Sequence, residues 1–305
     1  MSDFTSGFWS IYVSVATVIG ILACLLLLWA SSKARVAKSD DNTTGHVWDV
    51  DLREMNNPLP RWWAGLFVIT VVFGLAYLLL YPGLGTYRGM LNWTSQIEHQ
   101  QEVDEGNAQI APLYARFQGI GPKELANDAQ AMALGERLFM NNCAQCHGSD
   151  GAGNKGIPNL TDKDWLYGGE PAQILETLTK GRTGNMPPFA AVVGSSDDIK
   201  NLAQYVLSLS GGPHDSLKAA LGKSSFTTCA ACHGANGKGN QALGAPNLAD
   251  DTWLHGYGEA AIVAMINSGK VNSMPAQADK LTEGQIKVLT SYVWGLSNRL
   301  VPAAR

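Results

Sequence analysis

Four of the five cysteines in this chain stand in two copies of Cys-x-x-Cys-His: Cys143-Ala144-Gln145-Cys146-His147 and Cys229-Ala230-Ala231-Cys232-His233. Each cysteine pair can form two thioethers to the vinyl groups of a c-type haem, and the adjacent histidine then reaches the iron as proximal ligand. A disulfide, a zinc half-site or a thioredoxin-like redox pair uses the same spacing. The surroundings argue against these. His46, His99, His214 and His255 are scattered rather than paired at zinc-ligand spacing, and no βαβ pattern flanks either motif. The chain is therefore expected to carry two covalently bound haem c groups with one iron each.

The segments after the two histidines match. Pro158-Asn159-Leu160 repeats as Pro246-Asn247-Leu248, Trp165 as Trp253, and Gly181 to Pro187 as Gly269 to Pro275. The interval from proline to methionine is the same, Pro158 to Met186 and Pro246 to Met274, whereas the loop after the second histidine is two residues longer. Methionine is more often core filler than ligand. Here each precedes proline, at the same place in both repeats, in a polar loop with no apolar stripe to join. Met186 and Met274 are thus the expected distal ligands. His/Met ligation fills both axial positions, which suits electron transfer rather than oxygen binding.

The Pro158 and Pro246 carbonyls are candidates to accept from the proximal imidazoles. Trp165 and Trp253 suit a haem edge, where the indole N–H can meet a propionate, or equally the core. Ser195 to Ser210 places Ile199, Leu202, Val206 and Leu209 on one helical face, and Leu281 to Ser297 repeats it as Ile286, Leu289, Val293 and Leu296. A helix, a haem motif, a methionine loop and a closing helix resemble the class I cytochrome c fold, twice over.

Two uncharged apolar runs, Phe8 to Ala30 and Trp62 to Tyr81, are each long enough to cross a bilayer core of about 30 Å at about 1.5 Å per residue. A cleaved signal peptide is the alternative for the first, but no Lys or Arg precedes it and it ends in Leu25-Leu26-Leu27-Leu28-Trp29 rather than small residues. Lys33, Arg35, Lys38, Arg53 and Arg61 lie between the runs, which makes that loop cytoplasmic and sets both termini and the haem segments outside. Cys24, within the first run, reads as a small apolar residue. The fold class is all-α: two N-terminal transmembrane helices and two tandem cytochrome c-like domains. The expected divisions are a membrane helix in 1–30, a cytoplasmic loop over 31–61, a second membrane helix over 62–81, a periplasmic tether over 82–127, and cytochrome domains over 128–212 and 213–305.

Thr44-Gly45-His46-Val47-Trp48-Asp49-Val50-Asp51-Leu52, followed by Glu54-Met55-Asn56-Asn57-Pro58-Leu59-Pro60-Arg61-Trp62-Trp63, resembles the N-terminal signature of the dihaem subunit III of cbb3-type cytochrome c oxidases, the CcoP/FixP family. Alone, the segment reads as a turn and a solvated charge run; its place before a span and two haem motifs gives it weight. The resemblance implies a bacterial inner-membrane electron-transfer subunit with no oxygen-reducing centre of its own, and by position it implies the haem sets Cys143, Cys146, His147, Met186 and Cys229, Cys232, His233, Met274. Its implied partners are a catalytic haem-copper subunit, a monohaem cytochrome c subunit and a soluble cytochrome c donor, besides the lipid bilayer.

Residues 82–305 hold 17 Lys plus Arg against 20 Asp plus Glu, a mildly acidic head suited to steering a basic donor. No basic patch supports nucleic-acid binding. A cytochrome subunit of a periplasmic dehydrogenase and a haem-based sensor are the alternatives, separable by co-purifying partners and by CO binding.

Overall fold

The computed structural model describes residues 6–33 and 40–298. Arg35 and Lys38, which enter the charge argument for the loop, lie outside the described residues. The chain divides into two compact units, Met1–Gly106 and Asn107–Arg305.

In the first unit, α1 (Gly7–Lys33) and α2 (Arg61–Leu80) are both long and apolar enough to cross a membrane, and neither buries its apolar surface within the protein. Such helices need lipid to cover them. Their connection is a hairpin of β1 (Thr43–Trp48) and β2 (Leu52–Met55), tied by an ion pair of Arg53 with Asp41 and a hydrogen bond between His46 and Glu54. Ser10 of α1 accepts a hydrogen bond from the Thr86 N–H at 2.9 Å, so close that a side chain at Gly85 would overlap it. Cys24 lies along a crevice with Phe67 and with Gly20 and Gly74, small residues that let two helices approach. Helix α3 (Ser95–Ala115) begins beyond α2.

The second unit continues with α4 (Pro122–Leu125), α5 (Ala129–Asn142), α6 (Ala144–His147), α7 (Pro171–Lys180), β3 (Arg182–Met186), α8 (Ala190–Val193) and α9 (Ser196–Leu209). After these come α10 (Ser216–Gly222), α11 (Thr227–His233), α12 (Glu259–Ser268), β4 (Lys270–Met274) and α13 (Glu283–Ser297). Local rules explain the helix ends. Asp128 caps α5 by accepting from the Gln130 and Ala131 N–H groups, and capping boxes start α9 (Ser195 with Asp198) and α13 (Thr282 with Gln285).

The packing does not follow the tandem division at residue 212. Phe139 of α5 and Ile174 and Leu178 of α7 share one core with Ile286, Leu289, Tyr292, Val293 and Leu296 of α13, the last helix. Ile199, Leu202 and Val206 of α9 share a second core with Phe226, Ile262 and Ile266. Each repeat has therefore given its closing helix to the other. The crossing points are β3 and β4, which pair antiparallel from Arg182↔Met274 to Met186↔Lys270, with Gly184 opposite Asn272 at the centre. Beyond the ladder, Phe189 N–H donates to the Ile266 carbonyl and Gln277 N–H to the Leu178 carbonyl, both at 2.8 Å. These bonds seat the departing chain in the opposite lobe.

Neither short ladder follows from helical periodicity, although the architecture is otherwise the expected all-α one. The end of the segment expected as a tether is also core: Tyr114, Phe117 and Leu125 bury themselves with Ala131 and with Val288 of α13. Full burial of a large apolar side chain contributes about 1.5–3 kcal/mol. The five α13 residues in the first core thus match the whole stability of a small domain, about 5–15 kcal/mol.

Candidate haem-binding sites

The first cysteine of each motif caps or enters a helical turn that brings the histidine inward. Cys143 ends α5, its N–H bonded to the Phe139 carbonyl, and the short α6 carries Cys146 and His147. The second motif lies in α11 in the same way. His147 and His233 are buried, each at 8% exposure, whereas Cys146 and Cys232 face solvent.

Each imidazole donates through Nδ1 to a proline carbonyl at 2.9 Å, His147 to Pro158 and His233 to Pro246. This fixes both rings and leaves Nε2 as the ligating atom. Burial lowers both histidine pKa values against the opposing pull of the carbonyls, which favours the neutral, ligating form of the rings. Burial, with Cys146 beside it, pushes the Cys143 thiol up to about 11, and Cys229 is raised for the same reason. Neither is the low-pKa thiolate that a thiol redox enzyme uses.

Around the first motif, Cys143, Ala144, Leu160 and Trp165 pack on the α13 core, and so does Met274. Cys229, Ala230, Leu248 and Trp253 pack on the α9 core, together with Phe189, three residues after Met186. The expected grouping of Met186 with His147 and Met274 with His233 is therefore not the one the chain path brings together. The methionines travel with the closing helices, so Met274 arrives at the His147 lobe and Met186 leads into the His233 lobe. Two glycines permit the crossing: at Gly181 a Cβ would lie 2.5 Å from the Met274 carbonyl, and at Gly269 2.4 Å from that of Met186.

The chemistry of the lining fits a haem. Among the described residues, the buried Trp253 Nε1 and Tyr167 Oη have no hydrogen-bond partner, and both are donors suited to a propionate. The two-residue insertion falls in the turn between Asn240 and Ala245, where Gln241 donates to the Trp165 carbonyl at 3.1 Å. Tyr167 and its counterpart His255 belong to no repeated word in the sequence; only their equal distance from Trp165 and Trp253 marks them as a pair.

Two families match. Residues 40–88 match the N-terminal domain of cytochrome oxidase-cbb3, FixP, and residues 130–206 and 219–293 match cytochrome c oxidase, cbb3-type, subunit III. A cbb3-type cytochrome c oxidase subunit CcoP of Rubrivivax gelatinosus is 57% identical over 305 residues, covering 100% of both chains. A FixP subunit of Azorhizobium caulinodans is 40% identical over 83% of this chain and 92% of its own length. The CcoP of Cereibacter sphaeroides is 36% identical over 83% and 94%. With its apolar helix pair, its haem motifs and these relatives, the chain belongs to the CcoP/FixP family of cbb3-type cytochrome c oxidase subunits, membrane-anchored cytochromes that carry covalent haem c.

Proposed function

We propose that this subunit holds two haem c groups on the periplasmic side of the bacterial inner membrane. There it relays electrons from a soluble cytochrome c towards the monohaem and catalytic haem-copper subunits of its oxidase. The observation that carries the reading is the equivalent fixing of two buried imidazoles, His147 on Pro158 and His233 on Pro246, in lobes joined by one ladder whose two strands end in Met186 and Met274. Haem c, when bound, supplies a one-electron iron couple.

The protein's own residues do the rest. Cys143 and Cys146 anchor one group, Cys229 and Cys232 the other. His147 with Met274, and His233 with Met186, would ligate the two irons, a donor set that would saturate them against oxygen and favour the reduced state. The proline carbonyls fix the orientation of the imidazoles through Nδ1, leaving Nε2 for the iron. Trp253 and Tyr167 supply donors for carboxylates, and Trp165 takes the same place in its own lobe. Lys33, Arg53 and Arg61 at the α1–α2 connection support a cytoplasmic loop with the haem lobes outside.

The test is stopped-flow reduction of the purified oxidase by reduced soluble cytochrome c. Wild-type complex is expected to show rapid reduction of two c-type haems. Met274→Ala should make the haem at His147 high-spin and CO-reactive, and Met186→Ala the haem at His233. Donor oxidation at an undiminished rate in both variants would refute the relay, and the opposite assignment would refute the exchange.

A further inference from the structure

Tyr167 and His255 occupy equivalent positions with different chemistry, and each reaches across to the opposite haem loop. Tyr167 lies against Gly244, two residues before Pro246, and against Gly184, two residues before Met186; the Arg182 guanidinium stacks 4.9 Å from its ring. His255 lies against Gly156, two residues before Pro158, and its Nε2 is 3.3 Å from the Asn272 amide nitrogen, two residues before Met274. The same Asn272 amide donates to the Gly156 carbonyl at 3.4 Å, and Gly156 N–H donates to the Leu254 carbonyl at 2.7 Å. Thus His255 touches both chain segments that, on the exchanged pairing, hold the axial ligands of one iron, and Tyr167 touches both for the other.

We propose that His255 is a proton-binding positioning residue for the haem at His147, so that reduction there takes up a proton while the haem at His233, facing Tyr167, is reduced without one. The Asn272 amide presents an N–H to Nε2, so the neutral ring accepts at that atom. A proton on Nε2 forces the amide to turn over and release Gly156, which links the charge to both ligand segments. The charged groups facing the ring are Lys155 of the loop and Lys270 of β4. Burial first, then Lys270 and Lys155, lower the pKa of His255 from its ordinary value. Oxidised iron adds positive charge and opposes the proton further; the electron from the donor cancels that charge, and a proton from solvent binds Nε2. The potential of this haem must then rise as pH falls through the histidine range.

This inference rests on the two-haem reading of the preceding subsection. The experiment is spectroelectrochemical titration of the detergent-solubilised full chain between about pH 5 and pH 8. The haems are told apart through Cys146→Ala, which leaves the haem at His147 on a single thioether and shifts its band. Wild type should show a pH-dependent potential at that haem; His255→Tyr should abolish it, and Tyr167→His should confer one on the haem at His233. Where the tyrosine disturbs folding, His255→Gln, which keeps a partner for Asn272, must abolish it too. A slope that survives either His255 substitution, or no slope in wild type, overturns the proposal. A pyridine haemochrome count below two per chain would instead remove its premise.

Discussion

The two lobes share a chain path but differ in what covers their closing helices. Helix α13 is buried on nearly every side: α5 and α7 lie against one face, and Tyr114, Phe117 and Leu125 lie against Val288 on another. Helix α9 has α8, α10 and α12 around it but, among the described residues, no counterpart of that extra layer, and α10 turns Leu217 and Leu221 outwards at 72% and 60% exposure. The repeats are alike in haem chemistry and unlike in their surroundings. What distinguishes them is the segment that precedes the first motif.

The equivalent positions Val288 and Asn201 give the sharpest way to break this comparison. Val288 is fully buried and Asn201 partly exposed. Val288→Asn should cost about 3–5 kcal/mol, from lost apolar burial and an amide left without partners, whereas Asn201→Val should be close to neutral. Urea denaturation of the purified protein followed by circular dichroism checks both. Equal effects would mean the extra layer is irrelevant. A smaller difference is expected at the glycines where α5 and α10 meet the closing helices. A Cβ on Gly222 would lie 2.1 Å from the Asn201 backbone oxygen, and one on Gly135 2.5 Å from the Tyr292 Cβ. Alanine at either should destabilise by about 1–3 kcal/mol, more at 222, where backbone must move; the order of the two melting temperatures decides.

The smallest effect is at the capping boxes, where Ser195→Ala and Thr282→Ala should each cost about 1 kcal/mol. Acid separates them. Asp198 has its pKa lowered by the Ser195 side chain and then its backbone N–H. A lowered carboxylate contributes stability that is complete above its unfolded value, about 3.9, and is lost as pH falls through the folded value. The box at α13 uses neutral Gln285 and is unaffected. Amide hydrogen exchange at the two helix starts, compared above and below this range, should show loosening at α9 alone.

Much of this was readable from the residues. Cys-x-x-Cys-His, the proline seven residues before each tryptophan, and the apolar faces of α9 and α13 are local patterns, and so are the two apolar spans. The exchange was not, and for a physical reason. Ile199-Leu202-Val206 and Ile286-Leu289-Val293 present the same surface, so periodicity fixes that each helix buries that face but not against which core. Strands of Gly, Asn, Ser and Thr around Gly184 and Asn272 carry no alternating apolar signal, and their pairing joins segments remote in sequence. His255 reads in the sequence only as an unpaired histidine, because its meaning comes from standing where the other lobe has Tyr167.

The crossing at β3 and β4 reverses the order in which the halves mature. The motif at Cys143 emerges from the ribosome first, yet the helix that shuts the core around it is α13, the final one. Everything the later motif's core requires has been synthesised by the end of α12. The younger site can therefore be finished while the older one still waits, open, for the tail of the polypeptide.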